Sequence, residues 1–105
     1  MTRKPKLERK TLLQMVSDAV GTGRYRILPH ARQRCSERQV SAPDIENALE
    51  NGHPVPRRDR YNLAADDWSY CFEGSSVDEE PLRVVVAFRD WMLIVTVVRL
   101  GGKED

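Results

Sequence analysis

The sequence predicts a segregated α+β domain, with N-terminal helices packed on a three- to four-stranded antiparallel sheet. Three observations carry that prediction. Residues 11–20 place Leu12, Leu13, Val16, Ala19 and Val20 on one helical face. Residues 29–52 contain two further helical stretches, each with its own start signal. The C-terminal third carries two apolar, valine-rich runs, 82–88 and 92–99, separated by a short turn, which is the pattern of a β-hairpin.

The elements follow in order. Gly21 and Gly23 are positioned to stop the first helix. Tyr25, Ile27 and Leu28 suit a short extended link, and Pro29 opens the second helix at the turn where its missing N–H costs nothing. Ala31 and Cys35 face inward there. Ser41, Pro43 and Asp44 start a third helix as N-cap, first-turn proline and dipole-compensating acid. Its inward face is Ile45, Ala48 and Leu49, and Asn51-Gly52 ends it. Pro54 and Pro56 restrict residues 57–63 to an edge strand. From residue 68 the chain alternates, Trp68, Tyr70 and Phe72 on one side against Ser69, Cys71 and Glu73 on the other. Residues 82–88 and 92–99 read as a β-hairpin around Arg89-Asp90-Trp91. With Asp90 and Trp91 as the turn, the core face would be Leu82, Val84, Val86, Phe88, Leu93, Val95 and Val97. The acidic stretch 74–81 is expected to protrude as a mobile loop.

A chain of 105 residues supports one modest core, so the expected organisation is a flexible basic lead-in over residues 1–10 and a single domain over 11–100. No apolar run approaches the ~20 residues of a membrane span, and the opening MTRKPKLERK lacks the apolar centre of a signal peptide. The expectation is a cytoplasmic protein with no membrane partner. Cys35 and Cys71 read as buried thiols rather than a disulfide framework. With His30 and His53 they do not reproduce the ligand spacing of a zinc finger, so no metal and no cofactor is expected.

The formal charge is only +1, but it is unevenly distributed. Cations crowd residues 1–10 and 24–38, and Arg57, Arg58 and Arg60 form a third cluster. Acids gather at Asp44, Glu46 and Glu50, at Asp66 and Asp67, at 78–80 and at Glu104-Asp105, so a basic face and an acidic back are expected. Within the basic set, His30, Arg34 and Arg38 recur every four residues and share one stripe of the second helix. An imidazole and two guanidinium groups in a line suit a polyanion.

The run HARQRCSERQVSAPDIENALENG, followed by WSYCFEG, LRVVVAF and MLIVTVV, resembles a family of small bacterial domains that open a helix with His-Ala and place an Arg four residues after the His. The likeness covers His30 to Arg99. In element order that family is similar to the MqsR toxins of the RelE-like superfamily. The resemblance implies a RelE/MqsR-like fold, metal-independent endoribonuclease activity on messenger RNA and a cognate antitoxin partner. It also implies a sparse basic site on the exposed sheet face and nearby helix. A Tyr or Lys of those toxins falls near Leu82 and Arg83, where no Tyr is present, and their basic residue near the chain end corresponds to Arg99.

Metal-free cleavage of RNA needs a proton acceptor for the 2′-hydroxyl, cations on the phosphorane and a donor to the leaving oxygen. Imidazole titrates near neutrality, so His30 is the candidate acid or base. Arg34 and Arg38, joined by Arg83 from the sheet, are the candidate phosphate clamps, and the resemblance adds Arg99 to the candidate catalytic residues. Arg57, Arg58, Arg60 and Tyr61 are the candidate RNA-binding residues, and Trp68 and Tyr70 are further stacking candidates. Against this stands a second expectation of a different class, a non-catalytic protein- or ligand-binding domain of the same fold. In that case the arginines would form ordinary ion pairs and the aromatic stripe would be core.

Overall fold

A computed structural model describes residues 3–101 and contains three α-helices and a six-stranded mixed sheet. The order is α1 (Arg9–Thr22), β1 (Tyr25–Ile27), α2 (Pro29–Arg38), α3 (Ala42–Asn51) and β2 (His53–Pro54). A 3-10 turn (Pro56–Arg58), β3 (Arg60–Asn62), β4 (Asp67–Ser75), β5 (Pro81–Arg89) and β6 (Trp91–Arg99) complete it. Met1, Thr2, Glu104 and Asp105, which belong to the expected lead-in and acidic back, lie outside the described residues.

Helix boundaries follow their chemistry. Gly23 adopts φ +74° and turns its N–H back to the carbonyls of Ala19 and Val20, ending α1. Ser41 and Asp44 form a reciprocal capping box at α3. Ala31 and Cys35 of α2, and Ile45, Ala48 and Leu49 of α3, are buried as expected. Gly52 has no positive φ, and its lack of a side chain serves packing instead. A Cβ there would sit 2.2 Å from the Ala48 carbonyl oxygen and 2.4 Å from that of Glu73, so α3 and β4 touch through glycine.

The sheet departs from the expected three or four antiparallel strands. Its order is β1-β6-β5-β4-β2, with β3 paired to β4, and β1 runs parallel to β6. Met92 N–H donates to Arg24 O and Leu28 N–H to Ile94 O, which pins both ends of β1. Three residues with a partner more than sixty positions away leave little local signal. The hairpin register is also corrected. Arg89 pairs with Trp91 across a single residue, Asp90 at φ +68°, and Val95 is an extra residue in β6 because Val85 pairs with Thr96 while Val86 pairs with Ile94. The core face is therefore Leu82, Val84, Val86, Met92, Ile94 and Val97. Leu93 and Val95, expected inside, are only half-buried.

The three helices cover one side of the sheet. Tyr70 and Phe72 of β4 join that core with Leu12, Val16 and Ile45, and Phe72 is 0% exposed. On the other side Glu73, Arg83, Val85, Ala87, Leu93, Thr96 and Val98 are all half-buried. This alternation marks a face that the helices leave uncovered, apart from Cys71, which is 1% exposed beside Val55 and Asp59.

Two further expectations change. The acidic loop is tied down. Asn47 donates to the Ser75 and Ser76 carbonyls at 2.9 and 3.2 Å, Val77 N–H donates to Asp44 Oδ1 at 2.9 Å, and Ser76 is buried. The basic residues are not segregated from the acids either: Lys4 pairs with Asp67, and Lys6 with Asp59 at 2.7 Å. Residues 3–8 pass along β3 and β4, where Leu7 N–H donates to the Tyr70 hydroxyl and Trp68 Nε1–H donates to the Lys4 carbonyl.

Candidate functional site

The sequence-nominated residues fall into three groups. His30, Arg34 and Arg38 lie along α2, which continues the line of β1 beside β6. His30 is exposed and Arg34 half-buried, and among the described residues neither has an ion-pair partner. Arg38 is engaged at its backbone, where its carbonyl accepts from Arg99 Nη1 at 3.1 Å.

Arg83 and Arg99 do not converge. Arg99 pairs with Leu82 and Arg83 with Val98, so their side chains leave opposite faces of the sheet. Arg99 also pairs with Glu80, and its charge helps hold the Asp44 carboxyl below the ordinary range. It fastens the helix side of the domain. Arg83 lies on the uncovered face, where its Nε and Nη2 donate to Glu73 Oε2 at 3.1 and 3.0 Å. Arg58 Nε lies 3.9 Å from the same oxygen.

The third group borders β4. Arg57 and Arg58 belong to the 3-10 turn, while Arg60 and Tyr61 pair with Ser69 and Trp68. Tyr61 bonds Asp66 through its hydroxyl, packs edge-on against Trp68 at 5.5 Å between ring centres, and carries the Arg3 guanidinium 5.0 Å from its own. Trp68 carries Lys6 in the same way at 5.2 Å. The lead-in thus occupies the ring faces through cation–π contacts. Tyr70, 2% exposed, is part of the core and presents no stacking surface.

Cys35 and Cys71 are buried and free, and burial pushes both thiols up from their ordinary value, against the opposing charges of Arg32 and Arg83 respectively. A thiol held protonated is a poor nucleophile, so Cys35 is a packing residue here.

The uncovered face has two concavities. One, of about 350 Å³, has Ala87, Leu93 and Val95 as an apolar floor with Leu28, Asn62 and Arg89 at its margin. The other, of about 370 Å³, is bounded by Asn51, His53, Glu73, Ser75, Pro81 and Leu100. His53 and Glu73 were not nominated from sequence for the cleavage chemistry. Only the strand register brings them together: His53 pairs with Glu73 and Glu73 with Arg83, which sets three polar side chains in a row across β2, β4 and β5.

These elements match a known protein-family profile over residues 27–99, from the end of β1 to the end of β6. The chain belongs to the family described as a domain of unknown function, DUF4258. The DUF4258 region contains α2, α3 and strands β2 to β6, together with every nominated site residue, and leaves out α1 and the lead-in. Its extent agrees with the stretch that resembles small bacterial domains. No curated protein and no solved structure gives a significant match. Among the described residues no helix is long and apolar enough to cross a membrane.

Proposed function

We propose that this DUF4258 domain is an RNA-cleaving toxin of a toxin–antitoxin pair, acting on messenger RNA without a metal and on the uncovered face of its sheet. The observation that carries this reading is the composition of that face: two arginines, Arg58 and Arg83, share a single carboxylate, Glu73. Such a centre keeps an excess of positive charge and presents planar donors to a phosphate. Arg34 on α2, beside β6, supplies a further cationic contact to RNA that passes over this edge of the sheet, with His30 one turn away. An antitoxin would neutralise the protein by covering the same half-buried face.

A second reading is a non-catalytic binding domain. It is favoured by the apolar floor of Ala87, Leu93 and Val95, which suits a protein or ligand side chain, and by the ion pairs that already engage Arg83 and Arg99.

Tightly induced expression in a bacterial host, with growth and the integrity of one abundant transcript followed together, separates the two. Growth arrest with transcript cleavage, reproduced by purified protein in chelator, supports the toxin. Unchanged growth with confirmed expression of folded protein supports the binding domain.

A further inference from the structure

We infer that the acid–base chemistry of this face resides in His53 and Glu73, with Arg83 and Arg58 as the phosphate clamp, and that the substrate is a ribonucleotide phosphodiester. The inference rests on the RNA-cleaving reading above and supplies what that reading lacks in the nominated set, a complete proton acceptor and donor. His53 and Glu73 are directly opposed residues of antiparallel strands, so their side chains leave the same face with Cβ atoms about 4.5–5.5 Å apart. Both border one concavity. Their side chains make no hydrogen bond or ion pair with each other, and among the described residues the His53 side chain has no partner of either kind. A phosphate can therefore enter between them.

The Glu73 carboxylate is asymmetrically engaged. The hydrogen bonds from Arg83 and the Arg58 contact all go to Oε2, and among the described residues Oε1 accepts no hydrogen bond. One oxygen is held and oriented while the other stays available to a substrate hydroxyl. Arg83 is 22% and Arg58 44% exposed at the side chain, so the guanidinium groups that orient the carboxylate can also reach a bound phosphate.

The step balances without a co-reactant. Glu73 Oε1 takes the proton of the ribose 2′-hydroxyl, the 2′-oxygen forms a bond to phosphorus, and the phosphorus–O5′ bond breaks. Protonated His53 gives its proton to the leaving O5′. The products are a 2′,3′-cyclic phosphate and a 5′-hydroxyl end. Glu73 ends protonated and His53 neutral, and proton exchange with water restores both. Arg83 and Arg58 stabilise the charge on the non-bridging oxygens as the phosphorane forms.

The test uses full-length protein, a short single-stranded RNA and chelator. His53→Ala and Glu73→Gln are each expected to lower kcat about 10²- to 10⁴-fold with folding unchanged by circular dichroism. His30→Ala combined with Arg34→Ala is expected to act mainly on KM. Added imidazole is expected to restore part of the rate of His53→Ala, which a merely structural role would not allow. Wild-type cleavage together with full rates in both His53→Ala and Glu73→Gln overturns the inference and leaves the RNA-cleaving reading standing. Folded wild type that is inert on RNA overturns that reading, and the catalytic assignment with it.

Discussion

The two faces of the sheet are made by alternate residues of the same strands, yet they differ in what they can tolerate. On the helix side Phe72, Val84, Val86 and Ile94 are each fully buried, so their volumes are fixed by neighbours on all sides. On the other side Glu73, Arg83, Val85 and Leu93 keep part of their surface in water. Stability should therefore be concentrated on one set of positions and function on the other, and substitutions can separate the two.

The largest expected effect is on the covered side. Phe72→Ala removes a wholly buried ring and should destabilise the domain by about 3–5 kcal/mol, measured by urea denaturation. A loss below about 1 kcal/mol would mean that the helices do not close tightly on this face.

A smaller effect is expected where α3 meets the 76–80 loop. Asp44 accepts from the Ser41 N–H and hydroxyl through Oδ2 and from the Val77 N–H through Oδ1, so Asp44→Ala should cost about 1–2 kcal/mol. Chiefly the backbone hydrogen bond from Ser41, with help from that of Val77, and against some burial, holds its carboxyl below the ordinary 3.8. The folded value lies below the unfolded one, so the stabilisation is complete above the unfolded value and fades as pH falls through the lower folded value. The gap between wild type and variant in thermal denaturation should therefore narrow in acid and stay constant near neutrality.

Tyr25 gives the smallest of the three effects, with the opposite pH sense. Burial, then its hydrogen bond to Glu46 and the charge of that carboxylate, push the phenol from 10.0 up to about 12. Its contribution is complete below the unfolded value and declines as pH rises from 10 through 12. Tyr25→Phe should cost about 1 kcal/mol at neutral pH, a shift in Tm of roughly 4–8 °C for a domain of this size. That cost should shrink in alkali, as read by denaturation at a series of pH values.

The comparison also shows what a sequence can disclose. Helices were legible because their signals are local: Pro29 at a first turn, the Ser41–Asp44 box, and apolar spacing at Ile45, Ala48 and Leu49. The hairpin itself was legible from its valines, but its facing was not. A single-residue tip at Asp90 and the extra residue Val95 reverse the parity of Met92 to Val95 while restoring it by Val97. The loop after β4 looked mobile because its acids suggest solvent, whereas Asn47 and Asp44, some thirty residues earlier, tie it down. For the candidate site, Arg58 and Arg83 were visible as charges. That they share Glu73, and that His53 stands opposite it, depends on strand register, which composition does not encode.

The most direct measurement is one variant assayed for stability and RNA cleavage in parallel. Arg83→Ala breaks a half-buried ion pair on the uncovered face, removes no core side chain, and should lower stability by about 1 kcal/mol or less. Its kcat on single-stranded RNA should fall about 10²-fold or more. Cleavage at the wild-type rate by a folded Arg83→Ala protein would contradict the assignment of function to this face.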